Sequence, residues 1–106
     1  MMNGDGICLW NKWTNEMKVG GEDGWVVLEY NASTGYHWEC VPDNSGVYEQ
    51  VADINLHPSV EADGVPGKHI WKFRAVRSGP GEIMFRNVPP GATDAGEEYI
   101  VKLDVK

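Results

Sequence analysis

Residues 68–76 read KHIWKFRAV, and apolar and polar side chains alternate along this stretch. Trp71, Phe73 and Ala75 fall on one side, while Lys72 and Arg74 fall on the other. A period of two is typical of a β-strand with one buried face and one solvated face. An α-helix would spread the same side chains around its circumference. The stretch therefore predicts a half-buried strand in an antiparallel sheet.

The same alternation recurs along the chain, between breaks that contain glycine or proline. Regularly spaced short strands with turn residues between them predict an all-β fold, an immunoglobulin-like antiparallel β-sandwich of about seven strands. Residues 1–106 form a single domain in this prediction. The predicted strands occupy residues 7–19, 25–30, 36–41, 47–56, 68–76, 82–88 and 97–105. The first is the least regular, because Trp10, Trp13 and Met17 would also suit one turn of helix.

Alternating strand direction decides where the connections between strands lie. If successive strands run in opposite directions, the connections 31–35, 57–67 and 89–96 all lie at one end of the sandwich. The remaining connections lie at the other end. Loops that a rigid scaffold groups together often form a binding surface. We therefore expect the binding surface at the end that carries these three connections.

The composition describes an acidic chain of 106 residues, in which 9 Lys and Arg face 16 Asp and Glu for a formal net charge of −7. A negative surface repels phosphate groups, so we expect neither nucleic acid nor an anionic membrane as a main partner. No apolar run approaches the length of a membrane span, so we expect no membrane insertion. We also expect a monomer. No signal peptide is visible. A secreted or cell-envelope location is favoured if one was removed, and a cytoplasmic location otherwise.

The three grouped connections carry small or conformationally permissive residues. The first segment is Asn31, Ala32, Ser33, Thr34 and Gly35, and the aromatics Tyr36 and Trp38 follow it. The second segment is Gly64, Val65, Pro66 and Gly67. The third segment is Pro89, Pro90 and Gly91. Asparagine and glycine permit tight backbone conformations, and proline stiffens a turn, so each segment alone is also typical of an ordinary surface turn.

Taken together, the segments resemble the chagasin family of cysteine-protease inhibitors. That family carries an Asn-Pro-Thr-Thr-Gly loop followed by an aromatic, one residue and Trp, and then a Gly-x-Gly-Gly loop that enters a strand. The residues that match are Asn31, Ser33, Thr34, Gly35, Tyr36, Trp38, Gly64 and Gly67. Motif order, loop placement and strand parity agree over residues 21–106.

The sequence departs from the family pattern at three places. Ala32 stands where the family usually has proline, and Pro66 stands where it usually has glycine. The family's Arg-Pro-Trp loop near the C-terminus is absent, and residues 89–91 take its place. Aromatic and arginine anchors often dominate the energy of an interface. The third contact therefore lacks its usual anchors, which predicts weaker binding or a different target protease.

The resemblance implies a mechanism. Chagasin-like proteins inhibit papain-like cysteine proteases reversibly and noncovalently, by inserting three loops as a wedge into the active-site cleft. By this resemblance the tip at Ser33 and Thr34 would lie over the catalytic cysteine of the protease. The segment 64–67 would contact one side of the cleft, and the region 89–92 would contact the other. A preorganised sandwich can inhibit in this way because its loops lose little entropy on binding.

Other functions have less support in the sequence. No Gly-x-Ser-x-Gly motif is present, and no sequence feature places a base beside Cys40, so we do not expect an enzyme. His37, His57 and His69 lack a recognised ligand spacing, so we expect neither a metal nor another cofactor. A disulfide between Cys8 and Cys40 stays open, because sequence alone does not supply its geometry.

The principal alternative is an immunoglobulin-like binding or adhesion module, for protein or carbohydrate, that does not inhibit proteases. The fold by itself does not decide between the two functions. Trp10, Trp13 and Trp25 are the candidates for stacking on a sugar, and Trp25 lies on the predicted solvated face of its strand.

Overall fold

The computed structural model describes residues 6–31, 35–56, 66–89, 91 and 97–106. Within these ranges the regular structure consists of strands, and no helix is present. The strands are β1 (Ile7–Cys8), β2 (Thr14–Met17), β3 (Gly24–Asn31), β4 (His37–Pro42), β5 (Tyr48–Leu56), β6 (Pro66–Ala75), β7 (Gly79–Val88) and β8 (Glu98–Val105).

The strands build two sheets of four. Sheet A has the order β1-β3-β6-β5, and sheet B has the order β2-β8-β7-β4. The long strands pair antiparallel, β3 and β5 with β6 in sheet A, and β4 and β8 with β7 in sheet B. The apolar faces of the two sheets pack against each other. The predicted all-β sandwich is therefore confirmed.

The predicted first strand is in fact two strands, one in each sheet. β1 pairs parallel with β3, and β2 pairs parallel with β8. The chain crosses from sheet A to sheet B between them, over the bend at residues 9–13. Over the described residues the sandwich therefore has eight strands and two parallel pairs, and the one-turn helix considered for this region does not form.

Asn15 explains why the first strand breaks. Its side chain is 4% exposed and makes four hydrogen bonds. Its carbonyl oxygen accepts from the N–H of Trp10 at 3.0 Å, and its amide donates to the carbonyls of Trp10, Trp13 and Lys102 at 2.9, 3.2 and 2.9 Å. These groups would otherwise need partners in a strand ladder. One buried amide thus satisfies the backbone of the bend.

The core contains the residues that the alternation predicted. The buried residues on the four long inner strands are Val26, Leu28, Trp71, Phe73, Ala75, Ile83, Phe85, Val101, Leu103 and Val105. The Phe85 ring lies at the centre, 4.7 Å from the ring of Trp71 and 6.2 Å from that of Phe73 between centroids. Aromatic pairs at such distances add to the free energy of burial.

A polar clamp closes the end of the sandwich opposite to the three predicted loops. The Asp43 carboxylate accepts from the N–H of Ser45 at 2.9 Å and from the N–H of Glu82 at 2.7 Å. The Tyr48 hydroxyl donates to the Glu82 carbonyl at 2.7 Å and accepts from the Asp43 N–H at 3.0 Å. Desolvation raises the pKa of Asp43, but the hydrogen bonds from Ser45 and Glu82 outweigh it, so the pKa is lowered.

We expect Asp43→Asn to lower the free energy of unfolding by about 1–2 kcal/mol at pH 7, because the amide has one oxygen where the carboxylate accepts at two. The loss is no larger because solvent partly screens the site. The pKa of Asp43 is lower in the folded protein, so its stabilisation is present above the unfolded pKa and is lost as the pH falls through the folded pKa. Urea unfolding at pH 7 and in acid measures both effects. An equal difference between variant and wild type at both pH values would contradict the role of the carboxylate.

Candidate functional site

The strand ends of sheet A place two of the predicted connections together. Asn31, at the end of β3, pairs with Pro66, at the start of β6. Leu56, at the end of β5, pairs with Lys68 near the same start of β6. The first connection therefore leaves this sheet beside the point where the second connection leaves and returns.

The strand ends of sheet B show the same arrangement. His37, at the start of β4, pairs with Val88, at the end of β7. Arg86 near the end of β7 pairs with Glu98, at the start of β8. The first connection therefore enters this sheet beside the point where the third connection leaves and returns.

A hydrogen bond ties the two sheets at this end. The indole Nε1–H of Trp38, on β4, donates to the carbonyl of Glu29, on β3, at 2.9 Å. Trp38 is buried, with 8% of its surface exposed. Because the connection from Asn31 to His37 is short, the ends of β3 and β4 also lie close together. The strand ends that carry all three connections thus lie at one end of the sandwich, as alternating strand direction predicts.

The first predicted segment is described only at its two borders. Asn31 is the last residue of β3, and Gly35 is an exposed turn residue. The backbone of Gly35 has φ 78°, a left-handed conformation that favours glycine. The predicted contact residues Ala32, Ser33 and Thr34 lie outside the described residues, and their role stays a prediction.

The second predicted segment enters the sheet earlier than the alternation indicates. Pro66 and Gly67 are the first residues of β6, whereas the predicted strand starts at residue 68. Gly67 is buried, and a Cβ placed on it would lie 2.4 Å from Cζ of Tyr30. The missing side chain therefore makes room for an aromatic ring at the root of the loop. Gly64 and Val65 lie outside the described residues.

The third predicted segment follows β7 directly. Pro89 is half-buried, and Gly91 is exposed with φ 69° and open space around the position of a Cβ. Glycine adopts such a backbone more readily than other residues, which suits it to this turn after Pro89. Pro90 and residues 92–96 lie outside the described residues. Contact between these residues and a protease stays a prediction.

Sequence reasoning missed a polar layer beneath the loops. The Tyr30 hydroxyl donates to Oδ1 of Asn55 at 2.6 Å. The His69 ring stacks on Trp71 with centroids 3.9 Å apart and planes 10° apart, and its Nε2 contacts the Asp53 carboxylate. The alternation of side chains along β3 places Tyr30 on the inner face of the sheet, and this pattern could have indicated that Tyr30 takes part in such a layer. The partners across the sheet depend on register, which the sequence does not state.

We expect Gly67→Ala to lower the free energy of unfolding by about 1–2 kcal/mol, because the new methyl group displaces the Tyr30 ring and its hydrogen bond to Asn55. In a Tyr30→Ala background the ring is gone, so the same substitution should cost less than half as much. Urea unfolding of the four proteins in this double-mutant cycle measures the coupling. Equal costs in both backgrounds would contradict the packing role of Gly67.

The two cysteines are free, so the disulfide left open by the sequence does not form. Cys8 is exposed, and Cys40 is half-buried on β4. Burial, followed by the charge of Asp53, raises the pKa of the Cys40 thiol to about 11. A thiol with so high a pKa is protonated at neutral pH and is a poor nucleophile.

The described part of the chain shows no arrangement suited to a metal ion, since no group of three or more His, Cys, Asp or Glu side chains comes together there. In the same residues no helix has the length and the apolar character needed to cross a bilayer.

The three tryptophans considered for carbohydrate binding lie on the bend between β1 and β2 and on β3. Trp10 and Trp13 are 43% and 57% exposed, and their ring centroids lie 6.4 Å apart on the bend between β1 and β2. Trp25 lies on the outer face of sheet A, where the ammonium of Lys72 stands 4.9 Å from the ring centroid. This cation–π contact accounts for the position of Trp25 within the fold itself.

The fold and the strand ends define a class of protein: an immunoglobulin-like β-sandwich with three connections grouped at one end. Residues 16–105 match the sequence profile of the Chagasin family peptidase inhibitor I42. The chain belongs to this family. A search of curated proteins finds no match.

Solved structures support the fold. The cysteine protease inhibitor EhICP2 from Entamoeba histolytica is similar with a TM-score of 0.75 at 18% identity, over 94% of this chain and 95% of that one. The solution structure of Amebosin is similar with a TM-score of 0.71 at 24% identity, over 95% of this chain and 98% of that one. PbICP-C, solved in complex with falcipain-2, is similar with a TM-score of 0.62 at 17% identity, over 100% of this chain and 95% of that one.

Family membership confirms the predicted class of function, a protein inhibitor of papain-like cysteine proteases that is not itself an enzyme. It also confirms a cysteine protease as the kind of partner. The alternative, an adhesion or carbohydrate-binding module, has no corresponding support.

Proposed function

We propose that this chain inhibits papain-like cysteine proteases by inserting the three connections at one end of the sandwich into the active-site cleft. Asn31–Gly35 form the central loop of the wedge, with Ser33 and Thr34 at its tip. Residues 64–67 contact one side of the cleft, and residues 89–91 contact the other. The inhibition is reversible and noncovalent.

The convergence of the strand ends is the observation that carries this proposal. The six strand ends that bound the three connections lie at one end of the sandwich, and Trp38 ties the two sheets there. Grouped loops on a rigid scaffold lose little entropy when they dock. The complex of the structurally similar PbICP-C with falcipain-2 is consistent with a protein partner for this fold.

The chemistry of the described residues suits inhibition without a covalent step. The Cys40 thiol has a pKa raised to about 11 and lies on a strand, so it is unsuited to attack a protease. We infer that inhibition comes from occupation of the cleft, where a substrate competes for the same space. We therefore expect competitive kinetics.

A titration of papain with the purified chain tests the proposal. Initial rates at several substrate concentrations should show a raised apparent KM and an unchanged kcat. Activity should return fully when the complex is diluted. A serine protease such as trypsin, which has no catalytic cysteine, is the control and should stay active. Full papain activity at micromolar concentrations of the chain would overturn the proposal.

A further inference from the structure

The Tyr30 side chain links three strands at the loop end of sheet A. Tyr30 lies on β3 and pairs with Gly67 on the central strand β6. Its ring extends across Gly67, where a Cβ would lie only 2.4 Å from Cζ. Its hydroxyl reaches Asn55 on the edge strand β5 and donates to Oδ1 at 2.6 Å. One side chain therefore spans the width of β6.

These residues all lie at the roots of the proposed binding loops. Tyr30 immediately precedes the first segment, which begins at Asn31. Asn55 lies next to Leu56, after which the second connection begins, and Gly67 lies where that connection ends. The Tyr30–Asn55 hydrogen bond therefore joins the base of the first loop to the base of the second.

The edge position of β5 gives this hydrogen bond its importance. β5 is an outer strand of sheet A, and among the described residues its backbone pairs with a neighbouring strand on one side only. Strand ends fray more readily than strand centres, and an edge strand has fewer backbone hydrogen bonds to its neighbours than an inner strand. Tyr30 ties the end of β5 to β3 as well, past the strand that separates them. This second tie limits how far the two loop bases can move apart.

We infer that Tyr30 and Asn55 are positioning residues for inhibition, which set the separation of the first and second loops without touching the protease. The inference rests on the proposed function. Docking two loops at once is favoured when their separation is fixed beforehand, because the complex then avoids the entropy cost of ordering them. Loss of the hydrogen bond should weaken inhibition more than it weakens the fold.

The test compares two variants that each remove one hydroxyl. Tyr30→Phe should raise the inhibition constant for papain about three- to tenfold, the range expected for one partly solvated hydrogen bond. Tyr48→Phe is the matched control, because its hydroxyl donates to Glu82 at the opposite end of the sandwich. It should lose stability and keep its inhibition constant. Urea unfolding confirms that each variant is folded under the assay conditions.

A double-mutant cycle assigns the effect to the Tyr30–Asn55 pair. Asn55→Ala should weaken inhibition by a similar factor, and Tyr30→Phe combined with Asn55→Ala should be no weaker than either single variant. Additive losses, or a Tyr30→Phe that matches Tyr48→Phe in its inhibition constant, would overturn the inference. Failure of the wild-type chain to inhibit papain would instead overturn the proposed function, so the two failures are distinguishable.

Discussion

Thr34→Asp should weaken inhibition of papain by roughly 100- to 1,000-fold, which corresponds to about 3–4 kcal/mol of binding free energy. The proposal places Thr34 at the tip of the central loop, deep in the cleft of the protease. A carboxylate carried into such a contact loses its hydration, and a protein surface adapted to a neutral tip does not replace it. Inhibition constants from initial rates measure the loss.

The substitution should leave the stability of the fold almost unchanged. In the sequence, residue 34 falls in the connection between β3, which ends at Asn31, and β4, which begins at His37. A substitution away from the core usually changes the free energy of unfolding by less than about 0.5 kcal/mol. Urea unfolding therefore separates a loss of binding from a loss of structure.

Ser78→Asp is the matched control for the added charge. Ser78 is exposed in the connection between β6 and β7, at the end of the sandwich opposite to the proposed site. Both variants change a hydroxyl to a carboxylate and make the acidic chain more negative by one. Charges beyond the Debye length are largely screened, so Ser78→Asp should keep the inhibition constant within about a factor of two. An equal loss in both variants would indicate general repulsion, and no loss in either would remove residue 34 from the site.

The inner faces of the long strands could be predicted from the sequence. A strand that is buried on one side has an apolar residue at every second position. Trp71, Phe73 and Ala75 are all buried, and alternation alone assigns all three to one face. If successive strands alternate in direction, their order along the chain predicts which connections share an end. The grouping of the three strand-end pairs follows from this logic and needs no knowledge of contacts.

Cross-strand contacts could not be predicted in the same way. Gly67 was interpreted as a bare turn residue, but it lies in β6 beneath the ring of Tyr30. The explanation depends on the register that sets Tyr30 opposite Gly67, and on Asn55 one strand further on. Register is a property of the assembled sheet, so a local pattern does not contain it.

The prediction of a single strand over residues 7–19 was wrong for a similar reason. Residues 7–19 contain enough apolar side chains for one strand, and the break depends on hydrogen bonds from Asn15 to Trp10, Trp13 and Lys102. Lys102 lies 87 positions away along the chain. An asparagine at this position is unremarkable in sequence. Its importance follows from burial, which only the assembled sandwich creates.

Asn15→Ala should lower the free energy of unfolding by about 2–4 kcal/mol, the largest effect on stability that we expect from one polar side chain here. The substitution leaves the N–H of Trp10 and the carbonyls of Trp10, Trp13 and Lys102 without the partner that now satisfies them. Asn15→Asp should be at least as damaging, although it has the same shape. Its carboxylate cannot donate to three carbonyls and would be a buried charge.

Asn11→Ala is the control, because Asn11 is exposed on the same bend and should change stability by less than about 0.5 kcal/mol. Urea unfolding should show a lower midpoint for the Asn15 variants with an unchanged slope. The bend joins the two sheets on the side opposite to β4 and β5, so its loss should loosen the sandwich while the loop roots at Tyr30 and Trp38 keep their own ties. An Asn15→Asp variant as stable as the wild type would show that the amide donors do not hold the bend.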